Sequence, residues 1–380
     1  MAGIDRRKLL GGGAGLAAAS AINWTAFASS TSASEGDNIA MRSDGTYDAV
    51  PLAKESISIA VAQTRVVPVE LSSVAQTRKA NVQHMLDVID AASGFTGPKD
   101  LILFHEFPIT GYRHVWDLDD ARKIAIEIPG PETDMLAAKA REYGTWLVFG
   151  SYVRDPDWPG RLLSITTIMD DKGSIVAKDW KARNLKGFFP GGRELFTTTI
   201  YDVLDQYIEM YGRDHVVPVV KTPLGNLITS SSQLEPELFR AFAMKGAEIF
   251  LRTATGNFNE LDIRACSMYN RVYTAIANNS ASPENKYYLP DSNPGHAGIV
   301  GPDGEFIAQS ETDNETLVYG SIPIKSFRAR HRQPIVHSEL VMPIFEQYRS
   351  PYGPNLIADY QPTDTLDAGR YLRSKTRWAR

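Results

Sequence analysis

Between Ile57 and about residue 325 the chain alternates short apolar runs with amphipathic stretches of helical period. This alternation restricts the fold to a layered α/β architecture. Residues 57–63 read as a strand with alternating apolar positions. Residues 78–92 read as a helix carrying Val82, Met85, Leu86 and Ile89 on one stripe. The run 101–104 is continuously apolar, as a strand covered on both faces requires. Residues 132–143 read as a helix, with Pro131 preset for its first turn and Gly144 placed to stop it. A buried strand at 146–150 follows, then a hairpin of 162–169 and 174–177 around turn residues 170–173. The later half repeats the scheme, with a helix at 236–245, a strand at 248–251, a helix at 261–271 and a strand at 272–277. A second hairpin runs through 298–300, turns at 301–304 and returns through 306–308. No repeat of fixed period underlies this pattern.

The flanks differ in texture. Arg6 and Arg7 precede a weakly apolar run of glycine and alanine, and Ala26-Phe27-Ala28 then offers small residues two apart. Residues 1–30 therefore resemble a twin-arginine export signal, which sends a folded chain to the periplasm or the exterior. The alternative is a disordered basic tail. The apolar run is too short and glycine-rich to span a bilayer, so no membrane insertion of the mature form is expected. The lone cysteine fits export of a folded chain, since no disulfide has to form outside. Residues 31–55 read as a linker, 56–325 as the folded domain, and 326–380 as an extended tail lying on a surface, which could be a neighbouring subunit.

Charge and cysteine content exclude several functions. The chain has 40 Lys+Arg against 45 Asp+Glu, which leaves no basic surplus for nucleic acid. One Cys permits neither an internal disulfide nor a multi-Cys zinc site, and no metal or cofactor is expected.

Three segments carry groups suited to chemistry. Glu106 follows the apolar strand that ends near Phe104, and strand ends of α/β sheets are where ligands bind. Flanked by phenylalanine, it is a candidate general base, the alternative being a solvent-facing glutamate. Lys181 follows the first hairpin and, taken alone, reads as a surface lysine. The run 225–232 is strand-like and ends in Ser230, Ser231 and Ser232 before the Pro236 helix, a turn able to present a nucleophile.

These segments, in this order, resemble the nitrilase superfamily of carbon–nitrogen hydrolases. Further matching stretches are Ile128-Pro129-Gly130-Pro131, the Pro190-Gly191 pair, Lys245-Gly246-Ala247-Glu248 and Gly301-Pro302-Asp303-Gly304. The resemblance implies a four-layer α-β-β-α sandwich, often paired between subunits through its helices, so a homo-oligomer is expected. It implies a small-molecule substrate, an amide, nitrile or related compound. It also implies a Glu–Lys–Cys constellation in which Glu106 would be base and Lys181 the electrostatic clamp. Tyr112 and Lys186 are the candidate substrate-binding residues.

The sequence departs from that pattern at the nucleophile. Counting back from Pro236 gives Ser230, and counting forward from Gly225 gives Ser232. The only cysteine, Cys266, falls on a predicted helix outside the turn and reads as a core residue. Where a second glutamate is usual, the chain has Lys186. A thiol titrates near ~8.5 and a carboxylate near ~4.3, whereas an aliphatic hydroxyl lies closer to the ~15.7 of water. The extra difference of about 7 corresponds to roughly 10 kcal/mol for full deprotonation. Serine hydrolases use histidine as base. Of seven histidines only His105 adjoins a motif residue, and strand geometry turns it away from Glu106. Three functions stay open: a hydrolase using Ser230, Ser232 or Glu106-activated water, a silent binding protein with an anion-friendly site at Lys181 and Lys186, and an oligomeric structural protein.

Overall fold

The computed structural model describes residues 39–94, 96–187, 189–286 and 292–378. The export signal at 1–30 and the first part of the expected linker lie outside the described residues.

The expected strands form two six-stranded sheets. The first contains β1 (Ile57–Gln63), β2 (Leu101–Leu103), β3 (Trp146–Val153), β4 (Leu163–Met169) and β5 (Ile175–Trp180). The second contains β6 (Val220–Thr222), β7 (Gly225–Ser230), β8 (Ile249–Thr253), β9 (Tyr273–Ala277), β10 (Gly298–Val300) and β11 (Phe306–Gln309). A last strand, β12 (Thr316–Ile322), returns to pair with β1, so the orders are β12-β1-β2-β3-β4-β5 and β11-β10-β9-β8-β7-β6. Each sheet has three parallel strands flanked by antiparallel ones, β1-β2-β3 in the first and β7-β8-β9 in the second.

Alternation along each strand separates two cores. Leu101 and Leu103 join Ile59 and Val148 in packing against Leu227, Ile249 and Leu251 of the other sheet. Their neighbours Ile102 and Phe104 point the other way, under α1 (Val74–Gly94) and, past the short α2 (Leu118–Ile124), α3 (Pro131–Tyr143). The continuous apolar run at 101–104 is thus explained by cover on both faces. Gly144 stops α3 in the left-handed conformation at φ 61°, as its position suggested. After α4 (Leu204–Tyr211), α5 (Pro236–Met244) and α6 (Glu260–Asn270) cover the second sheet through Phe239, Phe242 and Cys266. The layers are α-β-β-α, as the resemblance implies.

Both flanks of the domain correct the sequence reading. Described residues of the 31–55 segment are anchored rather than free. Tyr47 donates to Glu248 at 2.8 Å, and the Ala53 amide donates to the Pro223 carbonyl at 2.9 Å. The segment 326–380 is about half helical among its described residues and docks on its own domain near both ends. Here α7 (Ile324–Arg330) buries Ile324 and Phe327 against the inter-sheet core. The next helix, α8 (Ser338–Gln347), buries none of its residues. The last, α9 (Thr365–Lys375), places Ala368 in a cluster with Phe107, Tyr112 and Tyr152. Polar spacing hid α7 and α9, which are held by the docking of a few side chains rather than by periodicity.

Candidate active site

Where β2 ends, the Phe104 amide donates to the Val148 carbonyl at 2.8 Å and the Gly150 amide to the His105 carbonyl at 3.1 Å. The chain then crosses β3 at Gly150, where any side chain would strike the Glu106 carbonyl and Cα. This crossing turns Glu106 inward, only 7% exposed. Its Oε1 accepts from Lys181 Nζ at 3.0 Å and from Ser164 Oγ at 3.4 Å. Lys181 is held in turn by its backbone amide, which donates to the Ser164 carbonyl at 3.0 Å. One hairpin, β4–β5, therefore supplies both partners of the glutamate. Ser164 escaped the sequence reading because nothing local marks a serine inside an apolar strand.

The serine turn closes the opposite side. The Ser232 amide donates to Ser230 Oγ at 3.1 Å, and the buried Arg252 donates from Nη2 to the Ser232 carbonyl at 2.6 Å. Arg183 donates to the Gln233 carbonyl at 3.1 Å. These three bonds fix the turn's backbone from within. Between the turn and Glu106 lies a cavity that opens to solvent. One wall is aromatic, formed by Phe107, Tyr112, Tyr152 and Phe189, with the Phe107 and Tyr152 rings stacked at 4.3 Å. Burial raises the phenols of Tyr112 and Tyr152, so both are neutral donors at ordinary pH. The other wall carries Ser231, Ser232, Thr255 and Asn257. The hydroxyls of Ser232 and Thr255 are buried and have no hydrogen-bond partner among the described residues.

The carbon-nitrogen hydrolase family pattern matches residues 58–332, well over half the chain. The chain belongs to the carbon-nitrogen hydrolase family. Membership of that family, with amidases among the relatives, supports a hydrolase acting on carbon–nitrogen bonds. A Homo sapiens omega-amidase, NIT2, is 26% identical over 235 residues, spanning 60% of this chain and 76% of that protein. The fold matches Nit3 of Saccharomyces cerevisiae, a member of branch 10 of the nitrilase superfamily, with TM-score 0.54 and 20% identity over 73% of this chain and 96% of Nit3. It also matches a cysteine-to-alanine mutant of the amidase from Nesterenkonia sp. AN1 in complex with butyramide, with TM-score 0.52 and 18% identity over 76% of this chain and 96% of the amidase. Another structure of that amidase carries a covalent acetamide addition at its active-site cysteine.

Set in this carbon-nitrogen hydrolase fold, the sequence-derived residues divide. Glu106, Lys181, Tyr112 and Ser232 line the cavity together. Ser230 does not, since its hydroxyl is turned back to the amide of Ser232, and Ser231 stands in the lining instead. Lys186 is also outside the lining. Asn184 is pinned to Thr197 through two hydrogen bonds of 2.8 and 3.1 Å, which aims Leu185 into the cavity and the next side chain away from it. Lys186 instead lies over the Tyr352 ring at 5.9 Å. The cation that replaces it in the wall is Arg183, which is ion-paired with Glu235.

Cys266 sits on α6 within the core, its thiol pushed up to about 11 by burial, far from nucleophilic character. His105 is fully buried, pushed down to about 3 by desolvation, and its Nδ1 accepts from the Phe107 amide at 3.2 Å. It is a neutral packing residue rather than a base at the cavity. Among the described residues no group of three or more His, Cys, Asp or Glu gathers to hold a metal ion. Among the same residues no helix is long and apolar enough to cross a membrane.

Proposed function

We propose that this hydrolase cleaves a small, uncharged amide or related compound, with Glu106 as general base, Lys181 as electrostatic clamp and Ser231 or Ser232 as nucleophile. The observation that carries this reading is the buried Glu106–Lys181 pair at 3.0 Å in the same cavity as the serine turn. In the reaction, Glu106 accepts the hydroxyl proton as the serine oxygen bonds to the carbonyl carbon. The Lys181 ammonium stabilises the oxyanion, the carbon–nitrogen bond breaks, and the departing nitrogen takes the proton from Glu106. Water then releases the acyl group by the same route in reverse. Neutrality of the substrate follows from charge balance, because Lys181 is offset by Glu106 and Arg183 by Glu235. The butyramide bound by the Nesterenkonia amidase supports the same class.

The absence of cysteine from the turn favours a second reading, binding without turnover. Incubation with small amides, nitriles and esters, followed by ammonia release and mass spectrometry, separates the two. Ammonia release with an acyl adduct on Ser231 or Ser232 is the expected outcome. Binding without ammonia would leave the silent reading.

For assembly we propose a homo-oligomer that buries α8 against a second copy. In support, α8 exposes Leu340, Ile344 and Phe345 by 76%, 68% and 48%, an apolar surface of the kind that marks an interface. For location we propose twin-arginine export, supported by Arg6-Arg7 and the small-residue run after them.

A further inference from the structure

One buried carboxyl close to the site takes no part in the mechanism above. Asp179, on β5, is 9% exposed and has no ion-pair partner among the described residues. An unpaired carboxyl in such surroundings is tolerated only where it is hydrogen-bonded. Its partner is on the other sheet, as Thr229 Oγ1 on β7 donates to Asp179 Oδ2 at 2.7 Å. Thr229 is itself only 5% exposed.

The positions of the two residues give the bond its meaning. Ala177 and Leu227 pack in the core between the sheets. Two residues further along each strand, on the same face, stand Asp179 and Thr229. Two further again stand Lys181 and Ser231, both in the cavity lining. The aspartate–threonine bond thus ties the two sheets one step below the cavity floor, where an apolar pair would permit sliding. Burial pushes Asp179 up to about 6, as expected for a carboxyl whose neighbours are chosen for geometry rather than for charge.

We propose that the Asp179–Thr229 hydrogen bond is a positioning strut that sets the gap between Lys181 and the serine turn across the two sheets. Neither residue touches substrate. Both act by holding the strand ends that carry the reacting groups, whose misplacement by about 1 Å can cost ~100-fold in rate.

The inference rests on the catalytic reading for its kinetic test only. Thr229→Val removes the donor while keeping the shape, and Thr229→Ser keeps the donor while removing a methyl group. Turnover of a small amide should fall at least about tenfold in Thr229→Val with KM changed less than about twofold. In Thr229→Ser it should return to within about threefold of the parent. Equal impairment of the two variants, or none in either, would overturn the strut. A crystallographic test stands apart from activity. The distance from Lys181 Nζ to the serine turn should widen or become variable in Thr229→Val and match the parent in Thr229→Ser. An unchanged gap in Thr229→Val would overturn the proposal even if the protein turned over nothing.

Discussion

At the scale of single residues the proposed chemistry turns on Glu106. Glu106→Gln keeps the volume and removes the base, so turnover should fall about 10²- to 10⁴-fold, read from ammonia release. Lys181→Met should lose about 10²- to 10³-fold through the oxyanion. Gly150→Ala tests a residue with no chemistry of its own, because its methyl would strike the backbone of Glu106. We expect a properly folded variant with turnover at least about tenfold lower, checked against its circular dichroism. A Gly150→Ala protein of parental activity would mean that Glu106 is not held where the mechanism needs it. Glu106 stood out in the sequence because it closes an apolar strand, whereas Lys181 read alone as a surface lysine and stood out only through the order of the motifs. Gly150 and Ser164 did not, since their importance comes from a chain crossing and a neighbouring strand. Lys186 misled for a related reason, as sequence order says nothing about which way a pinned loop turns its side chains.

Elements are held in place by buried polar networks as well as by apolar faces. Glu248, wholly buried at the start of β8, accepts from the Arg328 guanidinium twice at 2.7 Å, from the Tyr47 phenol at 2.8 Å and from the Asn226 amide at 2.7 Å. It thereby clamps α7 and the segment before β1 onto the second sheet. Glu248→Gln leaves Arg328 partly uncompensated, and denaturant unfolding should show a loss of roughly 3–5 kcal/mol. Asp179 gives an element-scale pH prediction. Its carboxyl is raised from an ordinary 3.8 to about 6, so the folded chain holds this proton more tightly than the unfolded chain does. That contribution is fully present below about pH 4 and is lost as pH rises through 6, worth roughly 3 kcal/mol. The titratable neighbour, Tyr207, is held neutral by burial and does not alter the sign. Asp179→Asn should flatten this component of the stability profile between pH 4 and 6, and an unchanged slope would refute it. Most strands and the main helices were legible because their apolar runs match a two-faced cover. β12 was missed because its outer positions carry Thr, Tyr and Ser, and the tail helices because they dock by only a few side chains.

At the scale of the whole molecule, the exposed faces decide assembly. If a second copy covers α8, sedimentation of the parent should show an oligomer, and Leu340→Glu with Ile344→Glu should shift it to monomer without loss of the fold. A monomeric parent at micromolar concentration would contradict the assembly we propose. Export has an equally direct check. Replacing Arg6 and Arg7 with lysine should strand the protein in the cytoplasm, read by fractionation. The layered domain was legible as a whole because its strand and helix signals agree with each other. The tail was only partly legible, since a segment read as extended, on a surface left open between this subunit and a neighbour, forms helices and docks in part on its own domain. Its α9 helix brings Gly369 so close to the Gly192 carbonyl that no side chain would fit, and its Ala368 backs the aromatic wall of the cavity. This arrangement has a consequence in time. Ribosomes make the N-terminus first, so Glu106, Lys181 and the serines all emerge well before α9. A chain interrupted before α9 would carry every lining residue of the cavity while its aromatic wall still lacked the backing of Ala368. The backing of that wall is thus made later than every group on which the proposed chemistry depends.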